Sequence, residues 1–360
     1  MTLFSAGPFQ RRLLRWYTAH QRDLPWRRSK NPYHIWVSEV MLQQTQVATV
    51  VDYYRRFLQA FPDIGTLAVA ELQDVLKLWE GLGYYARAAN LHKAARQIVA
   101  GGKKRVPRTP ETFGRLPGVG DYINAAVSSI AFGHPLPVVD GNVKRVLARL
   151  FLLDEPVNRP SNHRVFLEKA RLLLAFKDPG TFNQAMMELG ALVCKPGRPL
   201  CDQCPVASFC GAHQAGRVTD FPRRLAARKN PHHHLAVGLV KKGNRFLIVR
   251  RPATGLLAGL WEMPGGRVEK PENPADACCR AVLESVGLTV FPGPRLARVA
   301  HAYTHFKITM DLFACDVVSG RVKRNGYQAH HWIRMKDIGQ YPFHRAMHKA
   351  FAALAGALPP

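Results

Sequence analysis

Two carboxylates occupy settings that would alter their acidity. Glu39 lies in Trp36-Val37-Ser38-Glu39-Val40-Met41-Leu42, a lone acid among large apolar side chains. Such a group is costly unless it is paired, exposed or protonated. Desolvation would raise its pKa and suit it to general-acid work. Trp36, Glu39, Gln43 and Gln46 also recur at intervals of three and four residues, so Glu39 fits equally well on a polar, solvated helix face. Asp140 sits in Val138-Val139-Asp140-Gly141-Asn142-Val143, just before a helical stretch. As an N-cap its carboxylate would be fixed and helped to stay ionised. An acid that protonates a leaving base and an ionised carboxylate that steadies a sugar cation are together what glycosidic bond cleavage requires.

Four cysteines crowd one short segment. Cys194, Cys201, Cys204 and Cys210 are spaced C-x6-C-x2-C-x5-C. In a reducing compartment such crowding points to a metal centre rather than to disulfides. An iron–sulfur cluster and a structural zinc both remain open from chemistry alone. Cys278, Cys279 and Cys315 read as small residues with no ligand partner nearby. A further motif, Leu116-Pro117-Gly118-Val119-Gly120, joins two helical stretches through a tight turn. The backbone of Gly118, Val119 and Gly120 at the start of a helix makes a natural phosphate cradle, because orphan amides and the helix dipole both favour an anion. An ordinary helix–helix corner would look the same.

The elements that must position these groups fall into two textures. Up to about residue 200 the chain reads as mainly helical, with Asn31 capping and Pro32 opening a helix that runs to Gln46. Further helices are predicted over residues 50–61, 67–79, 86–99, 122–132, 143–150 and 163–174. Arg217 to His234, with Arg223, Arg224, Arg228, Lys229 and the run His232-His233-His234, reads as a basic linker. Beyond it, residues 235–240 and 245–250 form a hairpin around Lys242-Gly243-Asn244, and residues 297–303 and 307–317 a second strand pair. A helix is predicted over residues 275–286. The expected organisation is a helical domain over residues 1–215 that contains the cysteine loop (194–210), a linker over 216–234 and an α+β domain over 235–345.

Composition narrows the function. An apolar share of 47% supplies two buried cores, and no apolar run is long enough to span a bilayer. Met1 to Phe9 lacks the pattern of a signal peptide, so a soluble protein of the cytoplasm is expected. Fifty-one Lys and Arg against 25 Asp and Glu give a formal charge of +26. That field attracts polyanions, and binding to nucleic acid would weaken steeply with salt. Charge that merely keeps the protein soluble is the plain alternative.

Taken together, Trp36 to Thr45, Gly81-Leu82-Gly83-Tyr84-Tyr85-Ala86-Arg87, Leu116 to Gly120, Val139-Asp140-Gly141-Asn142 and the cysteine loop resemble the adenine DNA glycosylases of the MutY family. The resemblance spans nearly the whole chain. It implies a mainly α helix–hairpin–helix glycosylase domain with a [4Fe-4S] cluster loop, plus an α+β Nudix-like C-terminal domain. It implies removal of adenine mispaired with 8-oxoguanine or guanine in double-stranded DNA; from the absence of targeting signals, a monomer of the bacterial cytoplasm, associated with the nucleoid, is expected. In that light Glu39 is the acid that protonates adenine N7 and Asp140 the carboxylate that stabilises the sugar cation. Tyr122 and Asn142 position these two. Arg22, Leu24, Trp26 and Arg27 line the adenine pocket, while Gln44, beside Gln43, and Tyr84 enter the DNA stack. Cys194, Cys201, Cys204 and Cys210 hold the cluster. A lyase such as endonuclease III carries Lys at the position of Tyr122, so Tyr122 implies hydrolysis without strand cleavage.

The C-terminal stretch Gly259 to Gly266, with Glu272, Arg280 and Glu284, resembles a decayed Nudix box. Ala281 and Ser285 stand where two carboxylates would hold a hard cation, which implies recognition without hydrolysis. Tyr303-Thr304-His305 resembles the family's Phe-Ser-His turn that reads 8-oxoguanine, with Tyr and Thr as departures. The rival readings are an endonuclease III-like pyrimidine-damage glycosylase, a Nudix pyrophosphohydrolase with a DNA-binding domain, and a DNA binder without catalysis.

Overall fold

The computed structural model describes residues 6–226 and 230–357, the side chains of 356 and 357 excepted. Met1 to Ser5, on which the signal-peptide reading partly rests, and Arg228 and Lys229 of the basic stretch lie outside the described residues. The chain divides into two compact units: Met1–Ala68 with Lys93–Ala227, and Val69–His92 with Arg228–Pro360.

The helices in chain order are α1 (Ala6–His20), α2 (Pro32–Leu42), α3 (Val47–Ala60), α4 (Ile64–Val69), α5 (Leu72–Leu78), α6 (Ala86–Ala100), α7 (Pro110–Gly114), α8 (Asp121–Phe132), α9 (Gly141–Phe151), α10 (His163–Leu173), α11 (Pro179–Leu192) and α12 (Gly211–Gln214). Asn31 caps α2 by accepting from the Tyr33 amide, and Pro32 supplies the preset first turn. This helix ends at Leu42 rather than at Gln46. Gln43 leaves the helical region with ψ 112°, Gln44 turns left-handed at φ 57°, and Gln46 becomes the extended N-cap residue of α3. The single helix expected over residues 67–79 is two, because Glu71 is extended ahead of α5.

Within the first unit, Phe9 and Leu13 of α1 pack with Val146 and Leu147 of α9, Phe166 of α10 and Phe182 and Leu189 of α11. Two glycines permit the closest approaches. A Cβ on Gly190 would lie 2.7 Å from Asn142 Cβ, and one on Gly180 would lie 2.7 Å from the Ser129 carbonyl oxygen. Gly190 therefore sets how near α11 comes to the start of α9, where Asp140 stands.

The second unit carries β1 (His232–Lys242), β2 (Arg245–Arg250), β3 (Trp261–Glu262), β4 (Gly265–Arg267), α13 (Pro274–Val286), β5 (Leu288–Ala302), β6 (Lys307–Gly320), β7 (Ala329–Ile333) and α14 (Arg345–Ala357). Its strands run in the order β3-β2-β1-β6-β5, with β4 on β1 and β7 on β2. β1 and β6 are parallel, from His232 opposite Lys307 onward. The histidine run is thus strand rather than linker, since β6 offers it ladder partners. Val282 and Val286 of α13 cover one sheet face, against Ala236, Val240 and Leu247. Met347, Phe351 and Leu354 of α14 cover the other, against Val237, Leu239 and Ile248. The C-terminal domain therefore continues past residue 345. Cys278 and Cys315 meet in the first of these layers with their sulfurs 3.7 Å apart, so they are neighbours of one another, not isolated residues.

Candidate active site

Glu39 sits on the third turn of α2, which has no solvated face around it: Trp36 is 1% exposed and Glu39 5%. Of the stripe read from the spacing, Trp36 and Glu39 are buried, with Trp36 packed edge-on to Phe113 at a ring-centre distance of 5.2 Å, while Gln43 is half-buried and Gln46 exposed. The Tyr122 hydroxyl, on the first turn of α8, donates to Glu39 Oε2 at 2.6 Å. Burial pushes the Glu39 carboxyl up to about 7, and nearby Asp140 adds to the rise, while the Tyr122 hydrogen bond and Arg27 restrain it. Tyr122 itself is raised well above its usual range by the same burial and by both carboxylates, so it remains a phenol and a donor.

Asp140 is the N-cap of α9. Its Oδ1 accepts from the Val143 amide at 2.7 Å and its Oδ2 from Asn142 Nδ2 at 3.0 Å. Burial raises this carboxyl too, opposed by those hydrogen bonds and by Arg145. Helix-start amides and a guanidinium are what an anion needs to persist here.

Three charged residues near this pair were not read from the sequence. Glu188 of α11 is 1% exposed and accepts from Arg22 (Nε 3.0 Å, Nη2 2.6 Å) and from Arg27 (Nη1 and Nη2, both 2.9 Å). The two arginines outweigh burial and hold its carboxyl down at about 2. Arg27 also lies over the Tyr17 ring, 5.4 Å from its centre. The signal available was the one used for Glu39, a lone acid among Met186, Met187 and Leu189. Arg145 donates to Asn142 Oδ1 at 2.8 Å and to the Cys194 carbonyl at 2.7 Å. Arg149, one turn on, donates to Cys194 Sγ at 3.2 Å. Arg145 is 6% exposed and Arg149 2%, so α9 carries two buried cations between the Asp140 cap and the cysteine loop.

The remaining predicted residues are distributed as follows. Leu24 and Trp26 are buried, with Trp26 edge-on to Tyr54. Gly118 takes φ 76° in the turn before α8, and the Val119 amide closes it onto the Leu116 carbonyl at 3.1 Å. Gly118 and Gly120 are exposed and Val119 is buried, which leaves the turn's glycine backbone at the surface. Gln43 is half-buried and Gln44 exposed. Gln44 and, in the second unit, Tyr84 (φ 49°) are non-glycine residues held in the left-handed region; such strain persists only where the surroundings impose it and concentrates at functional sites. Within the second unit the Tyr84 hydroxyl meets Thr304 Oγ1 at 2.5 Å. Tyr303 stacks on Phe306 and its hydroxyl reaches His344 at 3.2 Å. His305 and Thr304 are exposed at the same turn.

The cysteine loop closes through short turns, with the Cys204 amide on the Cys201 carbonyl and the Cys210 amide on the Ala207 carbonyl. Cys194, Cys204 and Cys210 pack on the apolar core of the first unit. Burial and the charge of the other three sulfurs push Cys204 up to about 12, and burial also raises Cys201 and Cys210. Four thiolates that repel one another in an apolar niche need a cationic centre to ionise. The loop's donor set is all sulfur. It suits a polynuclear iron–sulfur centre, whose iron ions would be held by Cys194, Cys201, Cys204 and Cys210.

Comparison with known proteins agrees with this geometry. The family model described as HhH-GPD superfamily base excision DNA repair protein matches residues 37–169. The iron–sulfur binding domain of endonuclease III matches residues 194–210, and a NUDIX domain matches residues 236–353. The cluster is therefore iron–sulfur, and zinc is set aside. A thermostable thymine-DNA glycosylase covers 58% of this chain at 29% identity with a TM-score of 0.54. Endonuclease III covers 59% at 20% identity and 0.50, a likeness of fold. Proteins named adenine DNA glycosylase from Rattus norvegicus and Homo sapiens are 37% and 36% identical over 95% and 98% of this chain, spanning 77% and 74% of their own lengths. With the carboxylate pair, the cysteine loop and the C-terminal sheet in one chain, this protein belongs to the adenine DNA glycosylase family.

Proposed function

We propose that this chain hydrolyses the N-glycosidic bond of adenine mispaired with 8-oxoguanine or guanine in duplex DNA, without cutting the strand. The observation that carries the reading is the buried Tyr122–Glu39 hydrogen bond of 2.6 Å beside the capped Asp140. Glu39, held up to about 7, keeps its proton near neutral pH and has it to give. It protonates adenine N7, the bond from C1′ to N9 breaks with its electron pair leaving on the base, and a sugar cation remains. Asp140, whose anion the helix-start amides, Asn142 and Arg145 favour against burial, stabilises that cation. Water adds at C1′, and the Glu39 carboxylate takes up the proton it releases. Tyr122 bears no amine, so no Schiff base forms with the sugar and the strand stays intact. Bound iron–sulfur supplies a rigid anchor for the loop after α11, and Arg145 and Arg149 tie that loop to α9.

The base must leave the duplex to reach Glu39. The strained Gln44 and Tyr84 are suited to fill the gap, with Gly118, Val119 and Gly120 on the backbone phosphates. Arg22, Leu24, Trp26 and Arg27 form the wall that receives adenine. Tyr303, Thr304 and His305 read the opposite 8-oxoguanine. Phosphohydrolase work in the second unit is not supported, because Glu272 and Glu284 are both spent on Arg280 and Ala281 is buried. The same reading has a monomer acting at the bacterial nucleoid, in keeping with the charge of +26. The test is single-turnover base release from one duplex series with adenine opposite 8-oxoguanine, guanine or thymine. Release fastest opposite 8-oxoguanine, absent opposite thymine and without strand breaks is expected. No adenine release by cluster-loaded protein would sink the reading.

A further inference from the structure

The run His232-His233-His234 takes no part in the chemistry above, yet it opens β1 beside a groove of about 720 Å³. Lining it are His232, His234, Arg267, Lys270, Arg298 and Thr309. One fully buried carboxylate organises much of this wall. Asp311 of β6 is 0% exposed and accepts from Arg298 Nε at 2.6 Å and Nη2 at 2.7 Å. His234 Nε2 lies 2.7 Å from its Oδ2 and Arg295 Nη1 3.7 Å from its Oδ1. Two guanidiniums and an imidazole thus converge on a single carboxylate, and the guanidiniums alone outnumber its negative charge.

Arg267 and Lys270 are exposed at the end of β4 and in the loop after it, and among the described residues neither is ion-paired. Of the acids in the groove, Glu272 is neutralised by Arg280 at 2.7 Å, leaving Glu269 as the opposing charge. His232 Nε2 is set by Thr309 Oγ1 at 2.9 Å. A buried ion cluster is costly for stability alone; here it holds guanidinium and imidazole donors in place at a surface, as a phosphate requires.

We propose that this groove, lined by His232, His234, Arg267, Lys270 and Arg298, binds phosphate, and that the phosphate is that of a DNA backbone. The inference rests on duplex DNA being the substrate, and it assigns the C-terminal sheet edge a backbone contact separate from the turn at Tyr303. Cluster-loaded protein with Glu39→Gln, which keeps the adenine in place, is titrated with duplex across a salt series by fluorescence anisotropy. Arg267→Ala with Lys270→Ala should weaken binding about tenfold and lower the slope of log affinity against log salt by about two, as for two lost phosphate contacts. Lys241→Ala with Lys242→Ala, at the opposite end of β1, removes equal charge and should change both far less. Equal losses in the two double variants would mean diffuse charge and overturn the groove. In a second arm inorganic phosphate is titrated while the His232 and His234 ring resonances are followed. Shifts that vanish in the Arg267 and Lys270 variant, with duplex binding unchanged, would keep the phosphate site and overturn its assignment to DNA. No response in either arm overturns both. An active glycosylase with an unresponsive groove would leave the proposed function standing.

Discussion

Glu39 in the first unit and the buried carboxylates of the second are treated in opposite ways. In the second, Glu262 receives both Arg251 Nη1 contacts at 2.7 and 2.8 Å, with His344 at 3.6 Å. Burial alone would raise its carboxyl, but His344 and Arg251 outweigh that and hold it low. Asp311 is held low against burial by Arg298 and His234. In the first unit Glu39 is as deeply buried, yet its close partner is a neutral hydroxyl, and it rises to about 7. Glu188, in the same unit, is held down at about 2 because Arg22 and Arg27 both grip it directly. Burial does not by itself make an acid. Burial with the cations assigned elsewhere does, since desolvation then goes uncompensated.

The comparison breaks most visibly if Glu39→Gln spares the reaction. The amide fits the same space but has no proton to transfer, so single-turnover adenine release should fall by about 10²–10⁴-fold. Glu188→Gln attacks the compensated case. It leaves two guanidiniums facing a neutral amide, and urea unfolding should show a loss of about 3–5 kcal/mol, the range for breaking a buried pair. Stability from Glu188 is present above the ordinary carboxylate pKa and is lost as the pH falls toward 2, because its folded pKa is depressed.

Glu39→Gln should have the opposite sign in the same unfolding experiment. A carboxyl whose folded pKa is raised binds its proton more tightly in the native state, so stability declines as the pH climbs from the unfolded value through about 7. Removing it should stabilise the protein above pH 7 by on the order of 1–3 kcal/mol and change little at pH 5. Equal effects at both pH values would contradict uncompensated burial. The smallest expected effect comes from Tyr122→Phe. Its hydroxyl lowers the Glu39 pKa, so its loss should move the alkaline fall in rate to higher pH while the acid still functions.

Much of the site was legible in residue types. A solitary Glu in an apolar run, an Asp before a helix and four clustered cysteines carry their chemistry with them. Helix existence was legible too, because caps such as Asn31-Pro32 act locally. What failed was exposure. The spacing of Trp36, Glu39 and Gln43 fits a solvated stripe, and only packing against Phe113 and the Tyr122 helix reveals that Trp36 and Glu39 are buried. Glu188 escaped notice because its meaning lies in Arg22 and Arg27, more than 150 residues away in the chain. The histidine run reads as linker until β6 supplies its partner strand. Long-range pairing, and not local propensity, decided each of these.

The pH dependence of single-turnover adenine release tests the central claim most directly. A buried, uncompensated Glu39 predicts a rate that falls about tenfold per pH unit above a break near 7. The break should move upward in Tyr122→Phe. A rate that is flat from about pH 6 to 9, or that breaks near the ordinary carboxylate value, would contradict Glu39 as the proton donor.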